Sequence, residues 1–417
     1  MASHLLKRGL PIIYKHKYTP VATWLLGTSG LVAAIVHVGG VTRLTRSGLS
    51  MIDWKPLGNL PPLTTAEWEE EFERYQQFPE WQQRKTMTLQ EFQYIYYWEW
   101  GHRMLGRTAG VCFAVPFAYF TVRKTIPPGY GPRFVTLLAM GGGQGAIGWW
   151  MVKSGLGEDR RGDKHEIRVS PYRLATHLGM AFTTYSLLLW TGLDVASWPN
   201  TNRSGKVAGT VVKQLKEAMV QNAQVCNMAR RLRSGAIVVT ALTGLTVLSG
   251  AFVAGIDAGN AYNTFPKMAP DGRWIPWEDL VDEKLQPTYR NLFENTATVQ
   301  LQHRVLGVTT AATAATLAGI GLFHPVARNA VTPQVKKGLI AVGGVALGQM
   351  TLGISTLLYY VPIWLAAAHQ LGSLALLSSG IYLVHSLRYV ARPAMIHSAK
   401  EVVRKAAGDS ATAAKVI

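Results

Sequence analysis

Four histidines stand within apolar segments of the sequence, in two pairs with similar spacing. His102 and His177 form the first pair and His303 and His369 the second, at offsets of 201 and 192 residues. Two imidazoles that face each other across a helical bundle can supply both axial positions of a haem iron. Carboxylates are too sparse nearby for a di-iron centre, and zinc needs three or four close ligands. The pattern therefore favours one bis-histidine haem site in each half of the chain.

The two halves differ three residues before the first histidine of each pair. Glu99 precedes His102, whereas Gln300 holds the matching position in the second half. Positions i and i+3 share a helix face, so Glu99 would look into the same cavity as His102. A carboxylate beside one site and an amide beside the other predict chemistry in the first half and a structural or electron-transferring haem in the second. The alternative is an interfacial carboxylate paired with Arg103 or Arg107.

Two arginines, Arg43 and Arg46, follow the glycines Gly39 and Gly40 at the outer end of the first apolar segment. Glycines allow helices to approach closely. Because paired arginines favour carboxylates, contact with an anion such as a carboxylate of a bound cofactor is one interpretation. Anchoring of the segment at the membrane interface is the other.

Eight apolar blocks are available to position these residues. The 417-residue chain is 48% hydrophobic and 16% charged, and its mean hydropathy is +0.10, with the polar residues gathered between the blocks. A bilayer crossing takes about 20 residues, and open sheet edges are not satisfied in lipid. The sequence therefore predicts an all-α integral membrane protein with eight transmembrane helices, at about 20–41, 94–120, 134–153, 173–194, 235–256, 296–322, 335–359 and 362–386.

The signals of segments two to four return in segments six to eight. Gln144, which follows three glycines, matches Gln349 at an offset of 205 residues. Because an even number of spans returns the chain to the same side, we expect two four-helix bundles related by a pseudo-two-fold axis along the membrane normal. The predicted divisions are a basic N-terminal segment at 1–19, halves at 20–194 and 235–386, a connecting loop at 195–234 and a basic tail at 387–417.

The formal charge of +18 is distributed by loop. Basic residues concentrate in alternate loops and at both ends, while acidic residues occupy the other loops. By the positive-inside rule both termini and the 195–234 loop face the cytoplasm or the mitochondrial matrix. Nucleic-acid binding is the weaker interpretation of the positive charge. Cys112 and Cys226 predict neither a disulfide nor a thiolate metal site.

Two further features carry expectations. An amphipathic stretch from Trp68 to Tyr75 predicts a surface helix capped near Thr64 or Thr65. The seven histidines outside the two pairs are expected to be ordinary residues. His37 is expected to be packed, and the others to lie at the surface: His4, His16, His165, His324, His385 and His397.

The motifs Glu99–Arg103 and Gly39–Thr45, taken together, resemble those of haem A synthases of the mitochondrial and alphaproteobacterial branch. The likeness runs from about residue 18 to 390 and includes Trp54–Pro56 and Ala261–Pro266. Other branches carry a cysteine pair in the outer loops. This chain lacks that pair, as the mitochondrial type does.

The resemblance implies that haem O is the substrate and that successive hydroxylations convert its C8 methyl to a formyl group, giving haem A for cytochrome c oxidase. It implies that His102 and His177 hold haem O with Glu99 beside the reacting edge. The second pair, His303 and His369, would hold haem b. Glu99 would relay protons or stabilise a developing cation, and both roles stay open.

The resemblance also implies a multi-pass protein of the mitochondrial inner membrane with both termini in the matrix. A ferredoxin-type electron donor is implied, with haem O synthase and oxidase assembly factors as candidate partners. A bacterial plasma membrane would satisfy the same physics. Two alternative functions stay open, a dihaem b-type cytochrome that only transfers electrons and a non-enzymatic haem carrier for oxidase assembly.

Overall fold

The computed structural model describes residues 17–51, 53–55, 57–157, 167–197, 223–269 and 271–388. Every regular element in these ranges is helical, which confirms the all-α prediction. Eight long helices occur there in chain order: α1 (Thr19–Leu44), α2 (Leu89–Val122), α3 (Gly131–Lys153), α4 (Pro171–Ala196), α5 (Ala223–Gly255), α6 (Thr296–Phe323), α7 (Pro333–Leu358) and α8 (Ile363–Ser386).

Six of these described helices, α1, α2, α5, α6, α7 and α8, are long and apolar enough to cross a membrane. The protein is therefore a multi-pass membrane protein. Helices α3 and α4 have 23 and 26 residues, which is sufficient length. They are not among the six, and α3 carries six glycines while α4 carries four threonines. Six of the eight expected crossings thus coincide with helices that are long and apolar enough to span a membrane.

The helices begin where local chemistry favours a start. Proline occupies the first turn of α1, α3, α4 and α7, where its missing N–H costs nothing. Thr88 and Glu91 form a capping box at the start of α2. Helices α2 and α5 begin before their apolar blocks, because hydropathy marks the crossing part of a helix and not its polar extension.

The helices pack in the same order in each half. In the first half α1 contacts α2 and α4, and α3 contacts α2 and α4. In the second half α5 contacts α6 and α8, and α7 contacts α6 and α8. Helices α1, α4, α5 and α8 make the contact between the halves, where Phe182, Val247 and Leu374 share one apolar cluster.

A short helix, Thr65–Gln76, lies between α1 and α2 and confirms the predicted amphipathic element. Thr64 caps it and forms a capping box with Glu67. Trp68 and Tyr75 are buried against aromatic residues of α2. Burial, reinforced by the adjacent carboxylate of Glu80, raises the pKa of Tyr75. Its hydroxyl therefore remains a donor, and it reaches Glu80 Oε2 at 3.0 Å.

The expectation that His385 lies at the surface is wrong. This residue is only 2% exposed, and its Nε2 lies 3.1 Å from Asp194 Oδ1. Arg133 donates to the other oxygen of Asp194 at 3.0 Å. A carboxylate at the end of α4 thus binds the end of α8, which draws this histidine into the contact between the halves. The exposed His324 is as predicted, whereas His4, His16, His165 and His397 lie outside the described residues.

Candidate active site

A cavity of about 1380 Å³ opens between the two halves. Cavities for drug-sized ligands have volumes of roughly 300–1,000 Å³, so this one can accept a larger ligand. The residues that the sequence singled out all line it: Arg43, Arg46, Glu99, His102, His177, His303 and His369. The fold therefore brings together residues that are up to 326 positions apart in the sequence.

The spacing of the second histidine pair suits two ligands of one metal ion. The ring centroids of His303 and His369 are 6.3 Å apart, and the ring planes cross at 84°. With a metal–imidazole bond of about 2 Å, two rings on opposite sides of one metal would have centroids about 6 Å apart. Ser249 Oγ lies 2.7 Å from His303 Nδ1, which leaves Nε2 as the ligand nitrogen. This donor set fits a haem iron.

The first pair occupies the corresponding helices, His102 on α2 and His177 on α4. Gln144 Nε2 lies 3.1 Å from His177 Nδ1. His102 Nδ1 is buried and has no hydrogen-bond partner among the described residues. The same is true of His37 Nδ1, so His37 is not the satisfied packing residue that the sequence predicts. Both imidazoles of the first pair line the cavity and offer the same type of donor as the second pair.

Each of the four histidines packs against a glycine of the preceding helix. A β-carbon added at Gly39 or Gly353 would stand 2.7 Å from the imidazole Cε1, which is closer than real side chains approach, and one at Gly148 or Gly250 would stand 3.0–3.1 Å away, which is tighter than most real contacts. A larger residue at these positions would therefore press against the imidazole. The sequence reasoning missed this role, although the glycine-rich repeats were its signal. The pairs are Gly39 with His102, Gly148 with His177, Gly250 with His303 and Gly353 with His369.

Two glutamines fix the second histidine of each pair through its backbone. Gln144 Nε2 donates to the carbonyl of His177 at 2.9 Å, and Gln349 Nε2 donates to that of His369 at 2.8 Å. These bonds join α3 to α4 and α7 to α8 at the level of the imidazoles. The sequence repeat at these glutamines therefore reflects a repeated hydrogen bond that holds the second histidine of each pair.

Glu99 is buried at 2% exposure and accepts four hydrogen bonds. Arg103 donates from Nη2 at 2.6 Å and from Nε at 3.1 Å. Ser50 Oγ and the backbone N–H of Met51 donate at 2.8 Å each. The ion pair with Arg103 that the sequence offered as an alternative is therefore present, while Glu99 also lines the cavity.

Gln300 makes the matching contacts, with the opposite polarity toward the loop and the same polarity toward the arginine one turn later. Its Nε2 donates to the carbonyl of Ala258 at 2.9 Å and to that of Ala261, and its Oε1 accepts from Arg304 Nε at 3.1 Å. Like Glu99, Gln300 thus holds the loop that follows the first helix of its half. The two positions share a structural role and differ in charge.

Arg43 and Arg46 lie at the rim of the cavity with an acidic partner from the other half. Arg43 Nη2 donates to Asp257 Oδ1 at 3.0 Å and to the carbonyl of Ala254 at 2.6 Å, near the end of α5, where cations are favoured. Arg168 Nη1 contacts Asp257 Oδ2 at 2.7 Å. The sequence reasoning missed Asp257 and Arg168, since no local pattern relates residues that distant.

A second contact between the halves passes close to both pairs. Gln370 follows His369 on α8, and its Nε2 donates to the carbonyl of Val36 on α1 at 3.2 Å. Its side chain covers Gly40, beside the glycine that contacts His102. Helix α1 therefore contacts His102 of the first pair and the residue next to His369 of the second. Within the described ranges no group of three or more His, Cys, Asp and Glu residues is placed to hold a metal ion.

Comparison with known proteins gives a family match over most of the chain. The model of a family described as cytochrome oxidase assembly protein matches residues 22–381. The chain is 44% identical to the heme A synthase COX15 of Arabidopsis thaliana over 386 residues, which are 92% of this chain and 78% of that protein.

Relatives occur in other organisms. A heme A synthase of the bacterium Parvibaculum lavamentivorans is 40% identical over 88% of this chain and 94% of its own length. A heme A synthase–mitochondrial ferredoxin fusion protein of Schizosaccharomyces pombe is 43% identical over 88% of this chain. The match covers 60% of that longer protein.

Proposed function

Because this chain belongs to the cytochrome oxidase assembly protein family, we propose that it is a haem A synthase, an oxidoreductase that converts the C8 methyl of haem O to the formyl group of haem A. The observation that carries the proposal is the meeting of both histidine pairs in one cavity. The relatives named as heme A synthases support it at 40–44% identity over most of the chain.

We assign haem O to the first pair and a resident haem b to the second. His102 and His177 would hold the substrate, and His303 and His369 the cofactor. The 6.3 Å separation of the second pair supports a shared metal ligand there. Haem b, when bound, supplies one-electron chemistry. The protein positions and orients both haems through the glycine contacts and the two glutamines.

Glu99 is the proposed catalytic carboxylate of the first half. Its four hydrogen bonds fix it as an acceptor, so it would have to release a donor before it could carry a proton. A fixed negative group instead suits stabilisation of positive charge that develops at the reacting carbon. Gln300 cannot supply this charge, which supports placing the reaction in the first half.

Arg43 and Arg46 are assigned to the carboxylates of the bound haem. They line the same cavity as the first histidine pair and lie at its rim. A guanidinium binds a carboxylate through two parallel hydrogen bonds. These residues would therefore orient the substrate with its carboxylates at the cavity rim, beside the arginines, and its ring between the imidazoles.

The proposed architecture is two pseudo-symmetric bundles of four transmembrane helices, in which α3 and α4 complete the eight crossings. The matched helix contacts and the repeated glycine–histidine pairs support it. We propose halves at 20–194 and 235–386, with the connecting loop at 195–234 and both terminal segments inside. The relative that is fused to a mitochondrial ferredoxin favours the mitochondrial inner membrane, and the bacterial relative keeps the plasma membrane as the alternative.

A ferredoxin-type protein is the proposed electron donor. The fusion of a heme A synthase with a mitochondrial ferredoxin in Schizosaccharomyces pombe supports this choice, since fused domains commonly act together. A haem O synthase that supplies the substrate and oxidase assembly factors that receive the product are the further partners we propose.

Chromatography of the haems in the purified full chain tests the proposed function. With haem O under air, a ferredoxin, its reductase and NADPH, we expect haem A to accumulate while haem b persists. Haem b alone, with haem O unchanged, would instead support a dihaem cytochrome. One exchangeable haem of unchanged chemistry would support a carrier.

A further inference from the structure

We propose that Asp257 competes with the carboxylates of the haem substrate for the arginines at the cavity rim. Arg43, Arg46 and Arg168 would form the anion site, and Asp257 would occupy it whenever no haem carboxylate does. The proposal rests on the proposed function, which supplies the dicarboxylate ligand.

The geometry places one carboxylate among three guanidinium groups. Asp257 Oδ1 accepts from Arg43 at 3.0 Å, while Oδ2 lies 2.7 Å from Arg168 and 4.0 Å from Arg46. The Asp257 side chain is 25% exposed, and those of Arg43 and Arg168 are 18% and 23% exposed. The cluster is thus partly shielded from water, where charge-assisted hydrogen bonds are stronger than at an open surface.

The acid and the bases come from different halves of the protein. Arg43 and Arg46 end α1, and Arg168 precedes α4, whereas Asp257 follows α5. All four residues line the cavity that contains the histidines. Asp257 therefore reaches across the mouth of the cavity to the side where the first histidine pair lies.

The anion site would persist without Asp257. Arg43 is also held by the carbonyl of Ala254 at 2.6 Å, so the loss of one carboxylate does not free its guanidinium. A haem carboxylate is chemically the same acceptor as that of Asp257. One could replace the other, so that the guanidinium groups are paired in both states, while the displaced Asp257, which is 25% exposed, would turn toward water.

Exchange of carboxylates has a functional consequence. An enzyme that must release its product cannot bind the haem carboxylates at their full strength. Competition weakens haem binding by the free energy of the contacts that Asp257 regains with the arginines when the haem leaves. It therefore promotes release. Removal of the competing charge should therefore tighten binding, whereas removal of a merely structural ion pair would weaken it.

The test is a haem titration of the purified, haem-depleted full chain, followed by absorbance. We expect Asp257→Asn to bind haem O about tenfold more tightly, the effect of one charge-assisted hydrogen bond. Haem O dimethyl ester, which has no free carboxylate, should bind wild type and variant equally. The control is Asp279→Asn, since Asp279 instead accepts from the hydroxyl of Tyr262. Unchanged or weaker binding of haem O by Asp257→Asn overturns the proposal.

A measurement on the wild type keeps the proposal testable if the variant does not fold. A water-soluble carbodiimide modifies accessible carboxylates, and mass spectrometry locates the product. We expect more modification of Asp257 with haem O bound than without it, and equal or lower modification contradicts the competition. A wild type that binds no haem O refutes the proposed function itself, whereas normal binding without these effects refutes only the role of Asp257.

Discussion

Gly39 of α1 lies directly against the imidazole of His102 on α2, and a β-carbon at Gly39 would stand 2.7 Å from Cε1. In the second half Gly353 of α7 lies in the same way against the imidazole of His369 on α8, also at 2.7 Å. In both places the backbone of one helix forms the wall behind the imidazole of the next. The absence of a side chain therefore sets the position of each imidazole.

Gly353→Ala should displace the imidazole of His369 and reduce the haem b content of the purified protein, with a changed absorption spectrum of the remainder. Overpacking of this kind costs about 1–3 kcal/mol. Gly344→Ala is the matched control on α7, because among the described residues no atom lies within 4 Å of a β-carbon there. Alanine stabilises helices relative to glycine, so propensity alone predicts no loss. Equal haem content and spectra in the two variants would contradict the role of Gly353.

Glu99→Ala should accumulate haem O or its hydroxylated form, with haem A formation slowed about a hundredfold, the scale of losing one electrostatic stabiliser. Gln300→Ala removes corresponding loop contacts in the second half and should still form haem A. Chromatography of haems extracted from cells measures both variants. Normal haem A formation in Glu99→Ala would show that the carboxylate has no catalytic role.

His303→Ala and His369→Ala should each lower bound haem b, because a single imidazole leaves one axial position of the iron without its protein ligand. Reduced-minus-oxidised spectra of the purified variants give the measurement. His324→Ala, at an exposed helix end, is the control and should retain the full haem content. Retention of haem with an unchanged spectrum in both site variants would refute the assignment of the second site.

The helix Thr65–Gln76 should loosen in acid. Hydrogen bonds from the backbone N–H groups of Leu63 and Thr64 lower the pKa of Glu67 from its ordinary value of 4.5. A lowered folded-state pKa means that the contribution of the ionised Glu67 is complete above 4.5 and is lost as the pH falls through the lower folded value. Hydrogen exchange of this helix, corrected for the intrinsic rate, should accelerate below pH 4.

Glu67→Gln should remove that acid dependence, and Glu69→Gln should preserve it. Thr64→Ala should weaken the helix by about 1 kcal/mol at neutral pH. An acid dependence that persists in Glu67→Gln would assign the effect to another group.

Much of the fold could be predicted from the sequence, because apolar block length and composition are local properties that lipid acts on directly. The helix starts were less accurate: α5 begins at Ala223, before its apolar block at 235–256. A helix continues into water as long as its residues and caps allow, and hydropathy does not register that extension.

The sequence by itself determined the paired histidines, the contrast of Glu99 with Gln300 and the repeat that relates the halves, since residue type and spacing are written along the chain. Tertiary structure alone decided which partner each group meets. Arg43 required an anion, but only the packing of α1 against the second half selected Asp257, 214 residues away. Likewise Asp194 drew His385 inside. Charge and size specify what kind of neighbour a side chain needs, whereas helix packing determines which residue that neighbour is.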